Sequence, residues 1–242
     1  MIKIGGVQKF SLLDFPNKIS TIVFTQGCNF KCGYCHNPDL FGVGVNSIKV
    51  NDSSSNLEKE IWDEAKFFAF LKTRQGKLDG VVITGGEATL YKDLPDFIKK
   101  IKGLGFAVKL DTNGTNPKMV GNLIHNKLVD YVAMDIKAPL EKYSAIVNTD
   151  INTKLIRKSI DILKNSNIDF EFRTTVIKSQ LSYEDFEKIG ELIKGAKLYY
   201  LQKFIPSKIL DESLKDEKTY DENEFKTIIS TLKNYVENVS VR

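Results

Sequence analysis

Strand-like runs alternate with helix-like runs along most of this 242-residue chain. Six runs are rich in β-branched and aromatic residues and are bounded by Gly, Asp or Asn, and they span 19–27, 80–86, 107–114, 130–137, 169–177 and 197–205. Helices are predicted between and after them, over 57–75, 94–103, from Pro117 onward, and over 153–165, 183–194 and 222–237. Strand followed by helix, repeated about six times, predicts a parallel sheet with right-handed crossovers.

Two architectures fit this repeat, a doubly wound open sheet and a barrel. A complete eight-unit barrel takes about 250 residues, so six units and a tail suit this length better. We predict an α/β fold, a partial (β/α)6 TIM-type barrel with parallel strands, helices outside and the site at the C-terminal ends of the strands. Residues 1–242 are expected to form a single domain. Its core barrel would cover about 19–205, its C-terminal helical tail about 206–242, and 46–56 would be a surface loop.

Composition excludes several classes of protein. No run of 18 apolar residues is present, so no membrane span is predicted. The N-terminus lacks the apolar stretch of a secretory signal, which predicts a cytoplasmic protein. The formal net charge of +4 is small and the charges are interspersed, so no nucleic-acid partner is expected.

All three cysteines of the chain, Cys28, Cys32 and Cys35, lie within eight residues in the pattern C-x3-C-x2-C. An odd count argues against a disulfide framework, and clustered thiols in a reducing compartment are more often metal or redox groups. A structural zinc ion needs four closed ligands, and His36 is the sole imidazole nearby. A [4Fe–4S] cluster normally takes four cysteines, so three would leave one iron open to an outside ligand. Both centres remain possible on spacing alone.

Here the sequence resembles a known family. The cysteine motif with an aromatic residue, Tyr34, before its last cysteine resembles the signature of the radical S-adenosylmethionine (radical SAM) superfamily. "TGGEATL" (84–90) is similar to the Gly-Gly-Glu motif of that family, with Ala88 where Pro is common. "DTNG" (111–114), "DIK" (135–137) and "RTTVI" (173–177) resemble later motifs of the glycyl-radical-enzyme activases. The opening segment, residues 6–38, and "YVAMDIKAPL" look closest to activating proteins of anaerobic ribonucleoside-triphosphate reductase.

The resemblance implies a [4Fe–4S] cluster on Cys28, Cys32 and Cys35 that reductively cleaves S-adenosylmethionine (SAM) to methionine and a 5′-deoxyadenosyl radical. That radical would generate a glycyl radical on a partner, anaerobic ribonucleoside-triphosphate reductase, with a flavodoxin or ferredoxin as electron donor. Alternatives are an activase of pyruvate formate-lyase or another glycyl radical enzyme, and a small-molecule radical SAM enzyme of the deazapurine synthase type. The remotest alternative is a zinc-stabilised binding protein.

The expected SAM-binding residues come from five of the predicted strands and from the cysteine loop. They are Tyr34, Gly85, Gly86, Glu87, Asp111, Asp135, Lys137, Arg173 and Gln202. Glycines 85 and 86 are expected to let a ligand approach the backbone, and Glu87 to accept hydrogen bonds from the SAM ammonium group. Tyr34 would pack on the adenine and Gln202 would contact the ribose or the adenine.

Period-2 alternation places the charged residues of the later strands on one inner face, lining a polar cavity. Arg173 suits the methionyl carboxylate because it is a bidentate donor. Asp111 leans toward the same face with Lys109. Asp135 and Lys137 are expected to bind the ligand or, alternatively, to form a structural ion pair. The resemblance to the activases also implies that an aspartate of this motif helps to hold a cation near the cofactor carboxylate, so a monovalent cation at Asp135 is a further expectation.

Overall fold

The computed structural model describes residues 1–40, 61–207 and 209–242. Within them, one sheet holds eight strands in chain order. The strands are β1 (Ile4–Ser11), β2 (Ser20–Thr25), β3 (Gly80–Gly85), β4 (Ala107–Thr112), β5 (Tyr131–Asp135), β6 (Asp169–Val176), β7 (Leu198–Lys203) and β8 (Asn238–Val241). The pairs from β2–β3 to β7–β8 are parallel. The predicted partial barrel is confirmed, and its six predicted strands are β2 to β7.

Helices follow the strands as the alternation predicts. They are α1 (Glu64–Lys72), α2 (Leu94–Gly103), α3 (Pro117–His125), α4 (Tyr143–Val147), α5 (Thr153–Lys164), α6 (Tyr183–Leu192) and α7 (Glu222–Leu232). The short α4 was not predicted. The helix expected over 57–75 begins later, after the N-cap Asp63, whose side chain accepts a hydrogen bond from the Lys66 amide. Part of that prediction, 57–60, and the loop expected over 46–56 lie outside the described residues.

The predicted tail over 206–242 needs one correction, because it is not wholly helical. After α7 the chain returns to the sheet, and β8 adds a further parallel strand beside β7, with Tyr199 opposite Val239. At the other edge β1 pairs antiparallel with β2. Both additions lie outside the predicted core, and both extend the sheet rather than the helical layer.

The core lies between the sheet and the helices. On α2 the buried residues Leu94, Phe97, Ile98 and Ile101 recur at helical spacing and face the sheet. The opposite face of the sheet carries polar side chains, among them Lys109 and Glu171, which are nevertheless buried. The helices therefore cover one face, and the other is left to line an interior space. Within the described ranges, no helix combines the length and apolar character needed to cross a membrane.

Candidate functional site

A cavity of about 260 Å³ lies at the carboxyl ends of the parallel strands. All twelve predicted site residues line it, namely Cys28, Cys32, Tyr34, Cys35, Gly85, Gly86, Glu87, Asp111, Asp135, Lys137, Arg173 and Gln202. The structure thus brings together side chains from β2 to β7 and the loops that follow them, although they span 175 positions of the sequence, from 28 to 202. Parallel strands end at the same edge of a sheet, which is why residues distant in sequence meet here.

The cysteine loop leaves β2 through Gly27, whose φ of +81° lies in the left-handed region. The loop closes on itself where the Gly27 amide donates to the Leu40 carbonyl at 2.7 Å. All three cysteines are free thiols. The Phe30 amide donates to Cys28 Sγ at 3.4 Å. Burial raises the pKa of Cys28 to about 12, although that amide lowers it, so a metal centre must displace the thiol proton.

The structure gives Gly85 and Gly86 a packing role that the sequence did not predict. Gly85 has a φ of +115°, and a Cβ there would meet the backbone of Thr25, while a Cβ on Gly86 would meet the Gly27 carbonyl. The Gly86 amide donates to the Thr25 carbonyl and the Glu87 amide to the Gly27 carbonyl, each at 2.8 Å. The missing side chains therefore let the end of β3 lie against the start of the cysteine loop. Both glycines also line the cavity, so their predicted part in ligand approach stays a prediction.

Gly86→Ala is expected to lower the free energy of unfolding by about 1–3 kcal/mol, because overpacking forces backbone shifts. Urea denaturation under anaerobic conditions measures the change. Gly103→Ala is the matched control, since a Cβ there meets nothing within 4 Å, and alanine in a helix adds up to about 1 kcal/mol of stability relative to glycine. Equal effects of the two substitutions would show that the backbone approach at Gly86 is not tight.

Glu87 joins the ends of β3 and β4. It is 1% exposed. Its Oε1 accepts hydrogen bonds from the Thr89 amide and hydroxyl and from Thr112 Oγ1, and its Oε2 accepts one from the Asn113 amide at 2.6 Å. Burial raises the pKa of Glu87, and these donors oppose the shift. Among the described residues Oε1 accepts three hydrogen bonds and Oε2 only one, so Oε2 has more room for a ligand ammonium.

A second set of hydrogen bonds, through Asn113, holds the cysteine loop, and the sequence did not predict it. Asn113 Nδ2 donates to Asn29 Oδ1 at 2.9 Å, and Asn29 Nδ2 donates to Thr115 Oγ1 at 3.0 Å. The same Asn113 amide group lies 4.0 Å from Cys28 Sγ. The motif "DTNG" reads as a turn, and its Asn does form an Asx turn by accepting from the Thr115 amide at 3.0 Å. The sequence signal that could have identified Asn113 is its position directly after a strand that carries Asp111.

Five charged side chains form a connected network on the inner face of β4, β5 and β6 and just beyond the end of β5. Asp111 Oδ1 accepts from Lys109 Nζ at 2.6 Å and its Oδ2 from Arg173 Nη1 at 3.2 Å. Asp135 Oδ1 accepts from Arg173 Nε at 2.8 Å and its Oδ2 from Lys137 Nζ at 2.9 Å. Arg173 lies opposite Asp135 in the register of the two strands. The ion pair suggested for Asp135 and Lys137 is present, and both residues also line the cavity.

The network favours the charged forms of Asp111, Asp135 and Lys137. Burial alone would raise the pKa of Asp135, but the charges of Arg173 and Lys137 keep it well below its usual range. Burial would also raise the pKa of Asp111, but the charges of Arg173 and Lys109 outweigh that effect, and the pKa is lowered. The pKa of Lys137 stands well above its usual value, because the charge of Asp135 outweighs the effect of burial. The inner face therefore presents fixed charges to whatever enters the cavity.

Tyr34 is the clearest sign that a ligand belongs in the cavity. Its side chain is 3% exposed, yet its hydroxyl has no hydrogen-bond partner among the described residues. A buried hydroxyl without a partner is costly, so such groups usually meet a ligand or water. Lys137 Nζ lies 5.8 Å from the centre of the Tyr34 ring. The aromatic side chain and the charge network thus border the same space.

The residues present fit an iron–sulfur cluster with a bound zwitterion. The donor set is three free thiols, and the chain has no fourth cysteine. In the described part of the chain no three His, Cys, Asp or Glu side chains lie close enough to hold one metal ion, whereas the thiolates of a cubane bind different irons. Arg173 and Lys137 offer positive charge to a carboxylate, and the Tyr34 hydroxyl, which has no partner in the described part of the chain, offers a hydrogen bond.

Comparison with known proteins finds relatives along most of the chain. Residues 22–193 match the family model of the radical SAM superfamily. A protein of Methanocaldococcus jannaschii that bears the name glycyl-radical enzyme activating enzyme is 36% identical over 245 residues, covering 99% of this chain and 95% of its own. A pyruvate formate-lyase-activating enzyme of Clostridium pasteurianum is 26% identical and covers 98% of this chain and 99% of its own.

The fold is shared with a solved structure. A domain of a pyruvate-formate lyase-activating enzyme from Bacteroides vulgatus has a TM-score of 0.56 and 17% identity, covering 68% of this chain and 99% of that chain. The matched superfamily consists of enzymes that use a [4Fe–4S] cluster and SAM, so the zinc-stabilised alternative is set aside. With its family model matched over residues 22–193 and a relative 36% identical along almost the whole chain, this protein belongs to the radical SAM superfamily.

Proposed function

We propose that this protein is an activating enzyme that generates a glycyl radical on a separate enzyme, with anaerobic ribonucleoside-triphosphate reductase as the first candidate. The observation that carries the proposal is the 36% identity, along 99% of the chain, to a relative named for glycyl-radical enzyme activation. The opening segment and "YVAMDIKAPL" support the reductase as partner by their resemblance to its activating proteins. Pyruvate formate-lyase is the second candidate partner, because activating enzymes of that lyase are also relatives.

The cysteine loop would hold the cluster through Cys28, Cys32 and Cys35, and three ligands leave one iron for SAM. When bound, the cluster supplies the electron that splits SAM into methionine and a hydrogen-abstracting 5′-deoxyadenosyl radical. With three cysteines in the chain, no second cluster can be built from cysteine ligands alone. The protein's own contribution is to hold the loop, which it does through the Gly86 and Asn113 contacts.

The remaining cavity residues would bind and orient SAM. Arg173 and Lys137 present positive charge for the methionyl carboxylate, in charge-assisted hydrogen bonds that are stronger than neutral ones. Glu87 Oε2 accepts from the ammonium group, beside its bond from the Asn113 amide. Tyr34 and Gln202 approach from the cysteine loop and from β7, where they suit the adenosine part. Fixing SAM in this way restricts the position of the radical and thus the hydrogen it can abstract.

The test is a radical transfer assay under anaerobic conditions. The reconstituted protein is reduced, with dithionite or with a flavodoxin or ferredoxin as the proposed donor, and mixed with SAM and either candidate partner. We expect a glycyl radical signal by electron paramagnetic resonance with the ribonucleotide reductase, and no signal when its radical glycine is replaced by alanine.

Other outcomes assign the protein differently. A signal with pyruvate formate-lyase alone would change the partner and keep the activity. Formation of 5′-deoxyadenosine with no radical on any glycyl radical enzyme would contradict the activase proposal and favour a small-molecule substrate. The Cys32→Ala variant is the negative control in every arm.

A further inference from the structure

The carboxylates that were expected to hold a monovalent cation already have fixed cationic partners. Each of the four oxygens of Asp111 and Asp135 accepts a hydrogen bond from Lys109, Arg173 or Lys137, at 2.6 to 3.2 Å. Arg173 bridges the two aspartates, and one lysine closes each end of the row. An added cation would have to share these oxygens with donors that are part of the chain.

The charge balance of the network also opposes a further cation. It contains three cationic side chains and two carboxylates, and their side chains are between 3% and 24% exposed. Adding a positive charge to a largely buried group that is already net positive is unfavourable, because the surroundings screen charges far less than water does. A single carboxylate from a ligand would instead bring the balance to zero.

Lys109 differs from the other two cations in its position. Arg173 and Lys137 line the cavity, whereas Lys109 does not. It is 2% exposed, two residues before Asp111 on the same strand face, and its Nζ lies 5.9 Å from the centre of the Tyr131 ring. Tyr131 is itself held by a hydrogen bond of 2.8 Å to Glu171. Lys109 is thus fixed beneath the cavity. It keeps its ion pair with Asp111 when a ligand binds to Arg173.

We propose that Lys109 supplies, from within the chain, the positive charge that an added monovalent cation would supply beside these aspartates. SAM then binds through Arg173 and Lys137 without a cation from solution, and Lys109 is a positioning residue that acts through Asp111. The inference rests on the proposed placement of the SAM carboxylate in this cavity. It replaces the cation expected at Asp135.

Isothermal titration of SAM into the anaerobic holoprotein tests the inference. The oxidised cluster is used so that SAM is not cleaved, and potassium, sodium and tetramethylammonium chlorides are compared at equal ionic strength. For the wild type we expect dissociation constants within twofold in the three salts. For Lys109→Met we expect affinity at least tenfold weaker in tetramethylammonium and restored, saturably, by potassium or sodium, which can enter beside Asp111. Lys158→Met, on the exposed side of α5, is the matched control and should behave as the wild type.

Two results would overturn the inference. One is a saturable, tenfold or larger gain in wild-type SAM affinity with potassium or sodium. The other is a Lys109→Met protein that loses affinity equally in all three salts, which indicates a structural role only. If Lys109→Met does not fold, the wild-type titration and Lys109→Arg, expected to stay cation-independent, decide the question.

A second readout separates this inference from the proposed function. Potassium should not raise the thermal midpoint of the wild-type apoprotein above that in tetramethylammonium, and this measurement needs neither SAM nor a partner. Cation dependence with normal glycyl radical formation would contradict the role of Lys109 alone. Cation independence without radical formation on any partner would contradict the activase proposal alone.

Discussion

Replacement of Cys32 by alanine is expected to leave the protein without a stable [4Fe–4S] cluster and unable to cleave SAM. Cys32 is 8% exposed and lines the cavity with the chain's two other cysteines, so the described structure offers no spare thiol to take its place. Because a cubane normally takes four cysteine ligands and this loop supplies three, losing one more leaves two irons without a protein ligand. Iron and acid-labile sulfide are counted after anaerobic reconstitution, and 5′-deoxyadenosine is measured after reduction with SAM.

The neighbouring Lys31→Ala variant is the control for Cys32→Ala. Lys31 is exposed and lies in the same loop, so its side chain is expected to affect neither the cluster nor cleavage. Cys28→Ala and Cys35→Ala should match Cys32→Ala. Full iron and sulfide content in any of the three cysteine variants, or stoichiometric zinc without iron in the wild type, would contradict the assignment of these ligands.

Replacement of Arg173 by methionine is expected to have the second-largest effect. Arg173 is 12% exposed and bonds Asp135 through Nε and Asp111 through Nη1. Removing one partner of a buried ion pair typically costs about 3–5 kcal/mol, because the remaining charge stays buried without compensation. We therefore expect a loss of stability in that range by urea denaturation, with SAM affinity reduced by about 30-fold or more, since a lost charge pair costs at least about 2 kcal/mol in binding.

Two variants isolate the bridging role of Arg173. Arg157→Met removes an exposed arginine of α5 and should leave stability and affinity close to the wild type. Arg173→Lys keeps the charge but replaces the planar fork that reaches both aspartates with one ammonium group, so only part of the loss should be recovered. If Arg173→Met is as stable as Arg157→Met and binds SAM equally well, the network does not support the cavity as the distances indicate.

The sequence was sufficient for the central strands because local signals there are strong. β2 to β7 are short runs of β-branched and aromatic residues with clear boundaries, and the helices between them have recognisable caps, such as Pro117 at the first position of α3. β1 and β8 were missed. β8 is four residues long, too short for a period to be read, and β1 contains the pair Gly5-Gly6, which is unfavourable in strands. Both segments form strands because they pair with an existing edge of the sheet.

The sequence also predicted which residues line the site, but it did not predict the contacts that several of them make. Alternation placed Asp111, Asp135, Lys137 and Arg173 on the inner face, because successive side chains of a strand point to opposite faces. It could not show that Arg173 bonds both aspartates, which lie on two other strands. Nor could it show that the neighbour of the missing side chain at Gly86 is the Gly27 carbonyl, nearly 60 residues away in sequence.

The amino-acid sequence alone therefore determined the alternating elements, the cysteine loop and the superfamily, since these depend on local composition, spacing and motifs. The tertiary structure alone decided which donor meets which acceptor. It set the bonds of Glu87 across β3 and β4 and the row of charges from Lys109 to Lys137, and it left the Tyr34 hydroxyl without a partner among the described residues. Such partners are set by the register and twist of neighbouring strands, and these are properties of the assembled sheet rather than of any one segment.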